Sequence, residues 1–153
     1  MTDAAVVERS ASQGVVQIIL DTNIVLDLLV FDDAATAPLR EALQSGQLQW
    51  IATASMRDEL ERVLAYPQIV KRLAFYGKSA AHVLAARDAK VHTVDVAPKA
   101  SVTCKDPDDQ GFIDLAVAHR CLVLSKDQAV LCMHKRLLAL GASAQDAIKT
   151  IVA

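Results

Sequence analysis

The chain is short of the residues on which stapled or membrane-embedded proteins depend. Its 153 residues include three cysteines, Cys104, Cys121 and Cys132. That odd number, without metal-site spacing, excludes a disulfide framework and reads as reduced thiols of a cytoplasmic protein. Aromatic residues make up only 4%, so a core has to be built from Ala, Val, Leu and Ile. No apolar run approaches the roughly 18–20 residues that a membrane span needs. The N-terminus, MTDAAVVERSASQG, lacks the basic-then-apolar layout of a secretion signal. An excess of charge of one sign is also missing, since 16 basic and 18 acidic residues leave a net charge of −2.

What is present is apolar. The hydrophobic fraction is 53%, too high for a disordered chain, and the length suits one domain with its own core. Residues 1–14 read as a loose leader, and residues 15–153 as a single domain. VVQIIL (15–20) is a continuous β-branched run of the kind that forms a strand buried on both faces, as in a parallel sheet. It stops at Asp21, followed by Thr22 and Asn23, which suit turns and helix starts. Helical patterns follow over 34–45, 56–65, 68–76, 79–89, 112–120 and 127–140, and strands over 48–52, 91–96 and 121–125. Strands alternating with helices predict an α/β fold, three layers around a mainly parallel sheet. The tail, GASAQDAIKTIVA, shows no clear final strand.

In such sheets sites form at the carboxyl ends of strands. Asp21 directly follows the first strand and Asp127 lies just beyond the last clear one, so both belong to one rim. In the 56–65 helix, Met56, Leu60, Val63 and Leu64 form the apolar stripe. Glu59 borders it and is the acid of that helix best placed to reach an interior cleft. The segment CKDPDDQGFIDLAVAHR carries Asp106, Asp108, Asp109 and Asp114, with the first three before an apolar helix. Each of these acids has an ordinary alternative as a helix cap or a solvated charge. Asp114 sits oddly inside the apolar helix, facing either solvent or the site. Taken jointly, acids from four elements make an all-oxygen donor set, which suits Mg²⁺ or Mn²⁺ better than Zn²⁺. His82, His92, His119 and His134 show no ligand pairing. Setting one acid aside from each of the four segments leaves 14 acids against 16 bases. The remaining surface is mildly basic and compatible with a nucleic-acid substrate.

The motifs LDTNIVLDLL (20–29), SMRDELERVLAYPQI (55–69), DPDDQGFIDLAVAH (106–119) and LVLSKD (122–127) resemble the PIN-domain ribonucleases, especially the toxins of bacterial toxin–antitoxin pairs. The resemblance runs from about residue 15 to residue 140. It places the family's acids on Asp21, Glu59, Asp109 and Asp127, its asparagine on Asn23 and its serine on Ser125, with Asp106 in a supporting place. Two departures stand out. Gln128-Ala129-Val130 replaces the acid and two leucines that often follow the last motif, and the tail lacks the expected strand.

What the resemblance implies is metal-dependent hydrolysis of RNA phosphodiester bonds, with Mg²⁺ or Mn²⁺ held by Asp21 and Asp109 and completed by Glu59 and Asp127. Arg57, Arg62, Lys105 and Lys126 are candidate contacts to the RNA backbone. A cognate antitoxin protein and a homodimer are the implied partners. Two competitors are an aspartyl-phosphate hydrolase, with Asp21 as nucleophile and Lys126 as its activating lysine, and a non-catalytic binding module on the same fold.

Overall fold

The first strand, β1 (Val16–Leu20), explains the layout of the rest. Its residues alternate between two apolar layers. Ile18 and Leu20 face one core and Ile19 faces the other. A strand buried on both faces needs neighbours on both edges and helices on both sides. In the computed structural model, which describes residues 15–147, β1 is the middle strand of five. The leader expected over 1–14 and the last six residues, 148–153, lie outside the described residues.

The strands β2 (Leu48–Ala52), β3 (Val91–Thr93), β4 (Leu122–Leu124) and β5 (Ser143–Gln145) complete one parallel sheet in the order β3-β2-β1-β4-β5. Every link between parallel neighbours must cross over the sheet, and helices make these crossings. On one face lie α1 (Thr22–Leu29), α2 (Ala37–Ser45), α3 (Ala54–Leu64), α4 (Pro67–Phe75) and α5 (Ala80–Lys90). They bury Val25, Leu39, Leu60, Leu73 and Val83 with Trp50. On the other face α6 (Gln110–His119), α7 (Gln128–Leu131) and α8 (His134–Leu138) bury Ile113, Leu115, Val130 and Leu137 against Ile19, Ile51 and Val123. The three-layer α/β/α arrangement agrees with the fold expected from sequence. Among the described residues no helix is long and apolar enough to cross a membrane.

The structure corrects three details. The tail does supply a final strand: β5 pairs in parallel with β4, Ser143 opposite Leu122 and Gln145 opposite Leu124. Its sequence, Ser-Ala-Gln, has no β-branched residue, so nothing in its composition marks it. What sets it is the preceding turn, where Gly141 takes φ +83° and Ser143 N–H donates to Cys121 C=O at 3.1 Å. The helix expected over 127–140 is two short helices, α7 and α8, separated at Cys132 and Met133. Finally β3 ends at Thr93, short of the 91–96 expected.

The carboxyl ends of β1, β2 and β4 lie along one rim. The ladder extends one residue past β1, because Asp21 N–H donates to Leu124 C=O at 2.9 Å. Past β4, Ser125 N–H donates to Gln145 C=O at 3.0 Å. The backbone at Asp21 and Ser125 is therefore fixed by the sheet, not by a loose loop.

Candidate metal centre

Asp21 leaves β1 with extended geometry and becomes the residue before α1. Its carboxylate makes no cap hydrogen bond to that helix and is only 4% exposed. Instead it accepts the Ser125 hydroxyl, Oγ to Oδ2 at 2.5 Å. The same Oγ accepts the Asp127 N–H at 3.0 Å. Ser125, fully buried, thus ties the acid after β1 to the acid after β4. Asp127 keeps its capping role, since its Oδ1 accepts Ala129 N–H at 2.9 Å.

Asp109 arrives from the opposite layer. Asp106 precedes Pro107 in extended geometry, as the residue before a proline should. Its carboxylate accepts Asp108 N–H at 3.0 Å and starts a 3-10 turn over Pro107–Asp109. That leaves the Asp109 side chain free of cap duty at the head of α6. It turns inward, and one oxygen each of Asp21, Asp109 and Asp127 lie within 4.8 Å of one another.

Three carboxylates this close cannot all stay ionised without a counter-charge. Burial pushes the Asp21 carboxyl above its ordinary value, and the charge of Asp127 adds to this, while the Ser125 hydroxyl opposes it. Asp109 is pushed up to about 8, first by burial, then by its hydrogen bond with Asp127, then by the charges of Asp21, Asp127 and Asp106. No donor reaches the buried Oδ2 of Asp109. A buried acceptor without a donor, inside a cluster of hard oxygens that resist losing their protons, fits a divalent cation.

Glu59 stands beside this trio and not in it. The α3 wheel holds as expected, with Leu60 and Leu64 buried and Met56 and Val63 part-buried. Glu59 Oε2 accepts the hydroxyl of Thr22 at 2.9 Å, which moors it one residue from Asp21. Thr22, 7% exposed, joins the candidate site through this bond, a pairing that the sequence does not mark. Its only sign was its place next to Asp21. Asp114 does not join the cluster; it is part-buried at the wall of the cleft beside Glu59. Its Oδ1 accepts Ala100 N–H at 2.8 Å and Gln110 Nε2–H at 2.7 Å, and Gln110 in turn binds Cys104 N–H and Val102 C=O. This network pins the loop that delivers Asp106 and Asp109.

The outer candidates divide. Asn23 is exposed and makes no side-chain hydrogen bond among the described residues. Arg57 is held by Asp88 through Nε at 3.0 Å and Nη2 at 3.0 Å, away from the acids. Lys126 forms an ion pair with Asp27. Arg62 lines a cleft of about 470 Å³ together with Glu59, Tyr66, Asp108 and Phe112. Lys105 is exposed just before Asp106.

A family model described as a PIN domain matches residues 17–129, from β1 into α7. The chain belongs to the PIN-domain family. Comparisons with curated proteins and with solved structures found no match. PIN domains are generally metal-dependent nucleases, and the trio of Asp21, Asp109 and Asp127 is where this one can hold its ion.

Proposed function

We propose that this PIN domain is a ribonuclease that hydrolyses RNA phosphodiester bonds with Mg²⁺ or Mn²⁺, and that it is the toxin of a bacterial toxin–antitoxin pair. The observation that carries the reaction is the convergence of Asp21, Asp109 and Asp127, with the unpartnered Asp109 Oδ2 among them. The all-oxygen donor set favours a hard cation. When bound, such an ion lowers the pKa of a coordinated water and neutralises charge on the phosphate.

The chain's own residues have distinct tasks. Asp21, Asp109 and Asp127 would hold the cation. Ser125 fixes the angle of Asp21 and the backbone of Asp127. Thr22 holds Glu59 at the edge of the cleft, in reach of a water on its way to the phosphate. Arg62 and Lys105 stand ready for the RNA backbone, whereas Arg57 is engaged by Asp88. The aspartyl-phosphate alternative loses its activating lysine, because Lys126 is ion-paired with Asp27.

The toxin role rests on the motif pattern LDTN, DPDD and LSKD within the matched segment. It brings with it a cognate antitoxin protein, a homodimer and a cytoplasmic setting, the last in keeping with free thiols at Cys104, Cys121 and Cys132. The test is cleavage of end-labelled single-stranded RNA and DNA of the same sequence, in Mg²⁺, in Mn²⁺ and in EDTA. RNA cut only with metal, and not by Asp21→Asn, is the expected result. Equal cutting by wild type and Asp21→Asn, or cutting of DNA alone, would overturn the proposal.

A further inference from the structure

Half of the chain's six aromatic residues gather at one exposed place beside the acids. Tyr76 lies 6.0 Å from Phe31, ring centre to ring centre, and meets Phe75 edge-on at 5.1 Å. The Arg72 guanidinium lies 3.9 Å above the Phe31 ring. Phe75 is 83% exposed, the highest value among the exposed large hydrophobic residues, and Tyr76 beside it is 37% exposed. Phe31, Arg72 and Tyr76 form part of the wall of a second cleft of about 470 Å³, which Asn23 and Lys126 also line. Asn23 is two residues from Asp21, and Lys126 is next to Asp127. One end of the cleft thus reaches chain neighbours of two of the three acids.

Charge distinguishes this cleft from the one on the Glu59 side. There, Glu59, Asp108 and Asp114 face a single arginine, Arg62. Here two acids, Asp27 and Asp33, are matched by two cations, Lys126 and Arg72, and Lys126 is ion-paired with Asp27. Arg72 lies over the Phe31 ring and makes no side-chain hydrogen bond among the described residues, so its N–H donors are uncommitted. Lys71 is its exposed neighbour on α4, and that helix carries no acid. A flat aromatic surface next to uncommitted cationic donors matches single-stranded nucleic acid, whose bases stack while its phosphates pair with Arg or Lys. An apolar protein partner would explain Phe75 and Tyr76 but not the charges of Arg72 and Lys126 lining the same cleft.

We propose that this cleft is a subsite for one unstacked base of the single-stranded RNA being cut, with Tyr76 as the stacking surface and Arg72 on the adjoining phosphate. The subsite rests on the ribonuclease reading, and its test is built to fail separately. Short RNA oligonucleotides carrying 2-aminopurine at successive positions are titrated with Asp21→Asn protein, which holds RNA without cutting it. Fluorescence is expected to be quenched at one position. Tyr76→Leu weakens binding about 5- to 150-fold, the usual range for one base–aromatic stack, and abolishes that quench. Tyr76→Phe retains both, which separates loss of stacking from loss of folding, and Phe75→Ala, at an exposed site, lowers affinity less. An abasic nucleotide at the quenched position removes the difference between Tyr76 and Leu. Binding by Tyr76→Leu within two-fold of its parent, or equal affinity for intact and abasic RNA, overturns the subsite. So does a change of oligomeric state in Phe75→Ala and Tyr76→Leu with RNA binding intact, which would make the patch a protein interface. Wild-type protein that stacks RNA on Tyr76 yet cuts none in Mg²⁺ or Mn²⁺ defeats the ribonuclease reading and leaves the base subsite standing.

Discussion

Replacing Asp109 by asparagine should make the metal-free protein more stable, although it removes a residue on which function depends. The reason is the proton. In the folded chain the Asp109 carboxyl titrates at about 8, against 3.8 for an ordinary aspartate. Between those values the folded state keeps a proton that the unfolded chain has released. Stability from this group is fully present below the unfolded value and is lost as pH rises toward the folded one. At pH 7 roughly three pH units of that gap are in force, an upper bound of about 4 kcal/mol. Asp127 shares the proton and the site relaxes, so about half of this, roughly 2 kcal/mol, is the expected gain from an uncharged asparagine whose amide can donate to Asp127. For a domain of this size that is an increase in Tm of about 4–8 °C. The assay is thermal unfolding in EDTA between pH 5 and pH 9. Wild type should lose stability steadily across that range, with Asp109→Asn losing less, because the raised Asp21 carboxyl remains, and crossing above it. Addition of Mn²⁺ at 100 times its Kd should then raise wild type by about 2.7 kcal/mol and leave the variant unmoved. If Asp109→Asn in EDTA is less stable than wild type at every pH, or if wild type gains stability from pH 5 to pH 8, the proton account is refuted.

Other outcomes follow from the same geometry. Ser125→Ala removes the only side-chain donor to Asp21 Oδ2 among the described residues and the acceptor of Asp127 N–H. It should cost about 1–3 kcal/mol in chemical unfolding and about 10- to 100-fold in metal affinity by calorimetry. It should also push the Asp21 carboxyl further up, so the pH at which metal binding sets in moves higher. Thr22→Val frees Glu59 without touching the trio, so kcat should fall while Mn²⁺ affinity measured by titration stays within a few-fold of wild type. Arg57→Ala breaks an exposed pair with Asp88 and should change stability by no more than about 1 kcal/mol. In RNA-binding titrations it should behave as wild type, whereas Arg62→Ala weakens binding.

How much of this was legible in the sequence depended on burial. β1 and β4 are continuous apolar runs because both faces are covered, and such runs stand out in a polar background. Asp21 and Asp127 were legible because each follows a buried strand at the same rim, although either alone could be only a helix cap. Glu59 was found from the α3 wheel alone. By contrast β5 lies at the sheet edge, where three small and polar residues suffice once β4 offers its hydrogen bonds. The break between α7 and α8 has no glycine or proline to mark it. Long-range polar pairs were also out of reach. Arg57 and Asp88 are 31 residues apart, and Thr22 and Glu59 are 37 apart, so neither pair leaves a local pattern. Asp114 was visible as an anomaly, but its partner, the loop amide of Ala100, carries no side-chain chemistry to read.

The account stands on one claim, that Asp21, Asp109 and Asp127 together hold a divalent ion. Mn²⁺ binding followed by electron paramagnetic resonance tests it most directly. Wild type should take up Mn²⁺, and Asp21→Asn, Asp109→Asn and Asp127→Asn should each lose it, while Asp108→Asn and Asp114→Asn bind close to normally. Undiminished uptake by Asp109→Asn, or equal loss in all five variants, would contradict it.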